Sequence, residues 1–156
     1  MIDVGDRLTE VTLDLFKSMI GLAVEAGPVV ELRQTRARTE VVALIGFSGS
    51  CAGMVGVYSS GRLACRIVGA LLGCDPGGVN EEVRDGFGEV ANIIAGNIVT
   101  SLGDMGESVQ LALPSIVVGR DLVTSILDST PPRRARRFSV GDDDLYVELA
   151  LRRSEE

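Results

Sequence analysis

No histidine occurs among the 156 residues of this chain. That removes the commonest general base, metal ligand and activator of a nucleophile at neutral pH. Tryptophan is absent and aromatics make up only 4%, so a core has to be built from Val, Leu, Ile and Ala packed close around glycine. Cysteine is scarce. Cys51, Cys65 and Cys74 stand apart, with no C-x-x-C pair, which reads as reduced, buried thiols. A catalytic cysteine is disfavoured without a histidine to activate it. Positive charge is in short supply too: the net charge of −7 argues against nucleic acid, whose affinity comes largely from neutralised phosphates. No apolar run approaches the roughly 18 residues that span a bilayer, and residues 1–10 are polar and acidic rather than signal-like. The expectation is a soluble, cytoplasmic protein without a membrane or nucleic-acid partner.

What is present is ample apolar material, 46% of the residues, enough for one domain spanning 1–156 with a core of about 4–151. Residues 4–26 read as a first helix, with Val4, Leu8, Val11, Leu15, Met19 and Leu22 at helical spacing and Gly27-Pro28 as its end. Residues 29–36 and 40–47 read as strands, and 51–59 as the hairpin partner of the latter across Ser48-Gly49-Ser50. Ser60 can cap a second helix that stops at Gly73. After the Pro76-Gly77-Gly78 loop, Asn80 can cap a third helix ending at Gly103. Short strands follow at 109–113 and 115–119, residues 120–128 fit either a helical turn or a strand, and 135–140 with 145–151 form a closing hairpin. Hairpins outnumber crossover units. The fold class expected is α+β: two layers, a mostly antiparallel sheet with long helices on one face.

The third helix carries the most information. It contains Asp85-Gly-Phe-Gly-Glu89-Val-Ala-Asn92-Ile-Ile-Ala-Gly96-Asn97. At about 100° per residue, Val83, Phe87, Val90, Ile94 and Ile98 share one direction, while Asp85, Glu89, Asn92 and Gly96 share the reverse. An acid and an amide three positions apart stand one turn apart on the outward face. Gly86, Gly88 and Gly96 give away roughly 2–3 kcal/mol of helix preference. Glycine there can admit a neighbouring helix or a partner's surface, and the position of Gly88 and Gly96 beside the Glu89/Asn92 stripe favours the partner. An acid-and-amide stripe opposite a core stripe is also what a plain solvated face looks like, although such a face ordinarily prefers Ala, Glu, Lys or Arg.

Asp-x-x-x-Glu-x-x-Asn followed by Gly-Asn, with Pro114 further on, resembles the signature of the CheC/CheX/FliY chemotaxis phosphatases. The Phe47-Ser-Gly49…Gly53 hairpin, the Leu113-Pro114…Val118-Gly119-Arg120-Asp121 segment and the long opening helix are similar to the CheX type in particular. The resemblance implies a phosphatase that removes the phosphoryl group from the phospho-aspartate of the response regulator CheY. Glu89 would salt-bridge the receiver's active-site lysine, Asn92 would orient the attacking water, and Asp85, Gly88 and Gly96 would contact the partner. It also implies a homodimer, no cofactor on this chain, and Mg²⁺ on the receiver. An acyl phosphate is already activated, so placing a water in line is the remaining task and the missing histidine is no obstacle. The alternative on the same scaffold is a non-catalytic module binding a receiver or a flagellar-switch component; a phosphatase for receivers outside chemotaxis is a third. The two-site relatives carry a second acid-x-x-Asn on the first helix. Here Glu10 is followed at that spacing by Leu13, which supports one site per chain.

Other features carry less. Arg133, Arg134, Arg136 and Arg137 fit an acidic docking surface or an exposed edge strand whose charges discourage aggregation. Gly46, Gly49 and Gly53 lack phosphate-loop spacing, and Asp142-Asp143-Asp144 lacks the alternation of a Ca²⁺ loop. Asn97 is expected on a buried flank as a structural hydrogen-bonding residue, and Pro114 as a strand breaker.

Overall fold

Strand β2 (Val41–Gly49) pairs in antiparallel register with β3 (Cys51–Ser59) from Val41↔Ser59 to Phe47↔Gly53, as the alternation predicts. The computed structural model describes residues 4–30, 39–103, 108–120 and 133–153. Around that hairpin grows a seven-stranded sheet. Its other members are β1 (Glu25–Val30), β4 (Val109–Leu111), β5 (Ser115–Val118), β6 (Arg133–Val140) and β7 (Asp143–Arg153). The order is β1-β6-β7-β3-β2-β4, with β5 also on β2 and every pairing antiparallel. Helices α1 (Val4–Leu15), α2 (Gly61–Leu72) and α3 (Glu81–Gly103) pack on one face. This is the α+β, two-layer arrangement expected.

The core lies between the layers. Val41, Ala43, Ile45 and Phe47 of β2 point into it with Val55, Val57, Leu145 and Val147, against Leu63, Ile67, Phe87, Val90 and Ile94 of the helices. The sheet's opposite face holds a smaller cluster of Val42, Tyr58 and Tyr146. There Tyr58 leans across Gly56, whose missing Cβ would lie 2.8 Å from the ring, and its hydroxyl donates to Oε1 of the fully buried Glu148 at 2.6 Å. A buried carboxylate needs such a donor.

Both predicted caps are present. Ser60 Oγ accepts from Leu63 N at 3.1 Å, and Asn80 Oδ1 from Val83 N at 3.0 Å. Gly73 ends α2 in the left-handed conformation, φ 70°. The first helix is shorter than its periodicity implied. At Phe16–Ile20 it widens into a π-turn and stops at Gly21, φ 79°, whose N–H donates to Phe16 O at 2.7 Å. The wider turn shifts the phase by one residue. Phe16 and Ile20 are buried, and Met19, expected on the apolar stripe, is 53% exposed. Gly27-Pro28 therefore lies inside β1, where the register with β6 slips, as proline on an edge strand allows.

The arginine cluster needs a second correction. Strand β6 lies between β1 and β7 and is not an edge. Arg137 pairs with Asp144 at 2.9 Å, and Arg136 Nη1 donates to Gly27 O at 3.1 Å. The acidic turn is held likewise: Asp143 accepts from both Arg62 and Arg66, tying α2 to the β6–β7 hairpin. Of the thiols, only Cys51 is buried. Residues 31–36 of the expected first strand, residues 121–128 of the ambiguous stretch, and the tail from 154 lie outside the described residues.

The glycines of α3 split by environment. A Cβ on Gly86 would lie 2.6 Å from Val68 Cγ1, so α2 and α3 touch there; a Cβ on Gly96 would meet only Leu111 Cδ1 at 3.8 Å. Val68 is β-branched and stiff, and overpacking costs about 1–3 kcal/mol, against about 1 kcal/mol of helix preference gained. Gly86→Ala is expected to lower the urea midpoint, and Gly96→Ala to raise stability by about 1 kcal/mol. Equal shifts in the two variants would contradict the packing described.

Candidate functional site

One stripe of α3 is locked and the reverse one is free. Val83, Phe87, Val90, Ile94 and Ile98 are buried to within about a hundredth of their area, which sets the helix's rotation about its own axis. Opposite them Asp85 and Glu89 are exposed, and Asn92 and Gly96 are half-buried. Glu89 and Asn92 share one helical turn. Among the described residues neither side chain has a hydrogen-bond or ion-pair partner. An unpaired carboxylate beside an unpaired carboxamide leaves an acceptor, a donor and a second acceptor turned outward.

Gly88 corrects an expectation. It is buried, and the surface that comes close to it belongs to the chain itself: a Cβ would lie 3.2 Å from Ile116 Cδ1 and 3.7 Å from Pro114 Cγ. The segment joining β4 to β5 runs along this flank of α3, with Leu111 beside Gly96 and Ile116 beside Gly88. The buried arc of the helix is thereby displaced toward the flank of Gly88, Ala95 and Val99. Asn97 lies on the other flank and is exposed rather than buried.

Pro114 is thus more than a strand breaker: it is part of the wall beside the acid–amide pair. The sequence held a signal for this wall, two glycines at a helical separation of two turns, but not the element that would fill them. The first helix offers no second pair. Leu13 occupies the position an amide would need, and Glu10 pairs with Arg7 at 3.3 Å. Asp143 and Asp144 are absorbed by the arginine contacts while Asp142 stays exposed, and among the described residues no three His, Cys, Asp or Glu side chains stand together as a metal site.

Nucleophilic chemistry has little support elsewhere. A hollow of about 690 Å³ lies along α2 and the 73–79 loop and includes Cys65, Cys74, Arg62 and Arg66. Burial pushes the Cys65 thiol up, and Asp75 pushes it further, which is the reverse of what an activated thiolate needs. Both arginines there are engaged by Asp143. No helix among the described residues is long and apolar enough to cross a membrane.

With this geometry in place, the likenesses to known proteins are informative. Residues 41–131 match the family model described as chemotaxis phosphatase CheX. The CheY-P phosphatase CheX of Thermotoga maritima is 25% identical over 138 residues, covering 87% of this chain and 88% of that protein. The crystal structure of the chemotaxis protein CheX from Vibrio vulnificus superposes with a TM-score of 0.85 at 24% identity, covering 96% of this chain and 99% of that one. The CheX–CheY–BeF3–Mg²⁺ complex from Borrelia burgdorferi gives 0.78 at 22% identity, covering 97% and 99%.

Side chains at the surface of a helix that make no hydrogen bond or ion pair contribute little to folding. Glu89→Ala and Asn92→Ala are each expected to unfold within about 0.5 kcal/mol of the unmodified chain. Gly88→Leu, which has to displace Ile116 and Pro114, is expected to cost about 1–3 kcal/mol. Chemical denaturation of the three variants checks both statements.

Proposed function

The chain belongs to the family of the chemotaxis phosphatase CheX, and from that premise we propose that it hydrolyses the phospho-aspartate of a CheY-like receiver through Glu89 and Asn92. The observation that carries the residue assignment is the outward, unpartnered pair on a helix whose rotation the core fixes.

Docking comes first. The exposed Glu89 carboxylate meets the receiver's active-site lysine. A charge pair of this kind sets register and steers encounter more than it adds affinity. Asn92, one turn on, enters the acidic pocket. Its carboxamide holds a water with one N–H donor and one carbonyl acceptor. The water oxygen attacks phosphorus in line, the bond from phosphorus to the aspartyl oxygen breaks, and both protons of the water leave with inorganic phosphate, as dihydrogen phosphate. The receiver's aspartate is restored as a free carboxylate. Mg²⁺ held by the receiver supplies charge neutralisation in such a reaction. This chain's part is positioning, which is worth roughly two orders of magnitude for a displacement of about 1 Å. Asp85, exposed one turn before Glu89, extends the polar contact, and half-buried Gly96 leaves room for the receiver's loops.

Two further parts of the proposal rest on resemblance and on smaller observations. A cytoplasmic setting suits a chain whose cysteines form no disulfide. A homodimer is supported by the outer edge of β5, where Val117 and Val118 are exposed and the described pairing is to β2 alone. Light scattering at micromolar concentration is expected to give twice the chain mass.

Phosphate release from a phosphorylated receiver with Mg²⁺ tests the site. Asn92→Ala is expected to lower kcat by about a hundredfold or more while the affinity for a beryllofluoride-activated receiver changes little. Glu89→Ala is expected to raise KM, with a defect that shrinks as salt rises. Full activity in both variants would remove the assignment. Tight receiver binding by the unmodified chain without accelerated decay would select the non-catalytic module.

A further inference from the structure

We propose that Leu113 is an apolar anchor by which the phosphorylated receiver seats against this chain beside Asn92; the inference rests on the phosphatase reading above and names part of its docking surface. Leu113 is 88% exposed, far more than any other large apolar residue described. A single exposed leucine is ordinary on a protein surface. What sets this one apart is how it comes to be outside.

Strands β4 and β5 follow one another along the same edge of β2. Phe47 pairs with Leu111, and Leu44 with Ser115. Three residue steps along β2 are thus matched by four along the edge, so one extra residue is accommodated between them. That is a β-bulge, a device that re-aims a side chain at a sheet edge. The facing of the neighbours agrees. Leu111 lies against Gly96 and Ile116 against Gly88, both toward α3, although strict alternation from Leu111 would give that direction to residue 113. The bulge passes the inward position on to Ile116 and leaves Leu113 outside.

The projection is also held. Ala112 N donates to Gly46 O at 2.8 Å just before it, and Pro114 just after it has a fixed φ and rests near Gly88. Leu113 therefore cannot fold back onto the sheet without breaking one of these contacts. Its place along the helix is set by the same neighbours: the bulge spans the stretch of α3 between Gly88 and Gly96, the turn that bears Glu89 and Asn92. A body that inserts Asn92 into a pocket and meets Glu89 with a lysine necessarily covers this flank.

Energetics point the same way. An exposed ion pair adds little affinity, whereas burying one leucine side chain is worth about tenfold or more. Interfaces of this kind place an apolar anchor next to the polar contacts that set register. The fitting partner surface is an apolar patch on the rim of the receiver's acidic pocket.

The test uses the full chain and its receiver, activated by beryllofluoride and Mg²⁺ for binding and phosphorylated for turnover. Leu113→Ser is expected to raise both Kd and KM about tenfold, with kcat at saturating receiver within about twofold of the unmodified chain. Leu113→Met, which keeps the apolar volume, is expected to restore both constants. The thermal midpoint is expected to stay put, because the side chain buries nothing within the fold. Unchanged Kd and KM in Leu113→Ser, with Asn92→Ala still inactive, would overturn this proposal and leave the phosphatase reading standing. A shift from dimer to monomer with KM unchanged would also overturn it, assigning Leu113 to contact between copies of the chain. If the unmodified chain neither bound the receiver nor accelerated its decay, both proposals would fall together.

Discussion

The burial of one stripe of α3 is the constraint from which the rest of the site follows. Phe87, Val90 and Ile94 lie fully inside, flanked by Val83 and Ile98. Each is worth about 1.5–3 kcal/mol relative to exposure. Turning the helix far enough to hide Glu89 would forfeit most of that and bury an unpaired charge as well. The direction of Glu89 and Asn92 is thus a consequence of core packing, without a hydrogen bond or ion pair of their own among the described residues to hold them. A site built on the back of a buried helix is rigid for the same reason the core is.

Glycine sharpens this frame. Two of the three glycines inside α3 mark places where other elements come within contact of the helix: α2 through Val68 at Gly86, and the β4–β5 segment through Ile116 and Pro114 at Gly88. The helix is gripped from two sides, and the acid–amide turn lies beside the second grip. The intrinsic helix preference lost at these positions is offset by packing that a side chain would forbid.

The chemistry suits a chain with so few reactive groups. It has no histidine, and its partly buried Cys65 is pushed toward the thiol form by burial and Asp75. A reaction whose electrophile arrives activated, with its cation on the partner, needs only a water placed correctly and a surface that docks in one register. An amide and a carboxylate one turn apart suit those two tasks in the proposed reaction.

Sequence by itself determined the elements that local rules control. The period of α3, the Ser60 and Asn80 caps, the 41–59 hairpin and the α+β class were all legible, because each depends on neighbours within a few residues. The outward direction of Glu89 and Asn92 was legible too, since a strong apolar stripe defines its own opposite. Tertiary structure alone decided what lies beside them. The π-turn that moves Ile20 inward in place of Met19, the interior position of β6, the covering of Gly88 by Ile116 and the emergence of Leu113 all depend on elements far apart in the chain. A one-residue change in register reverses which side a residue faces. The β4–β5 bulge is such a change, and it exists only where β2 fixes the spacing on either side of it.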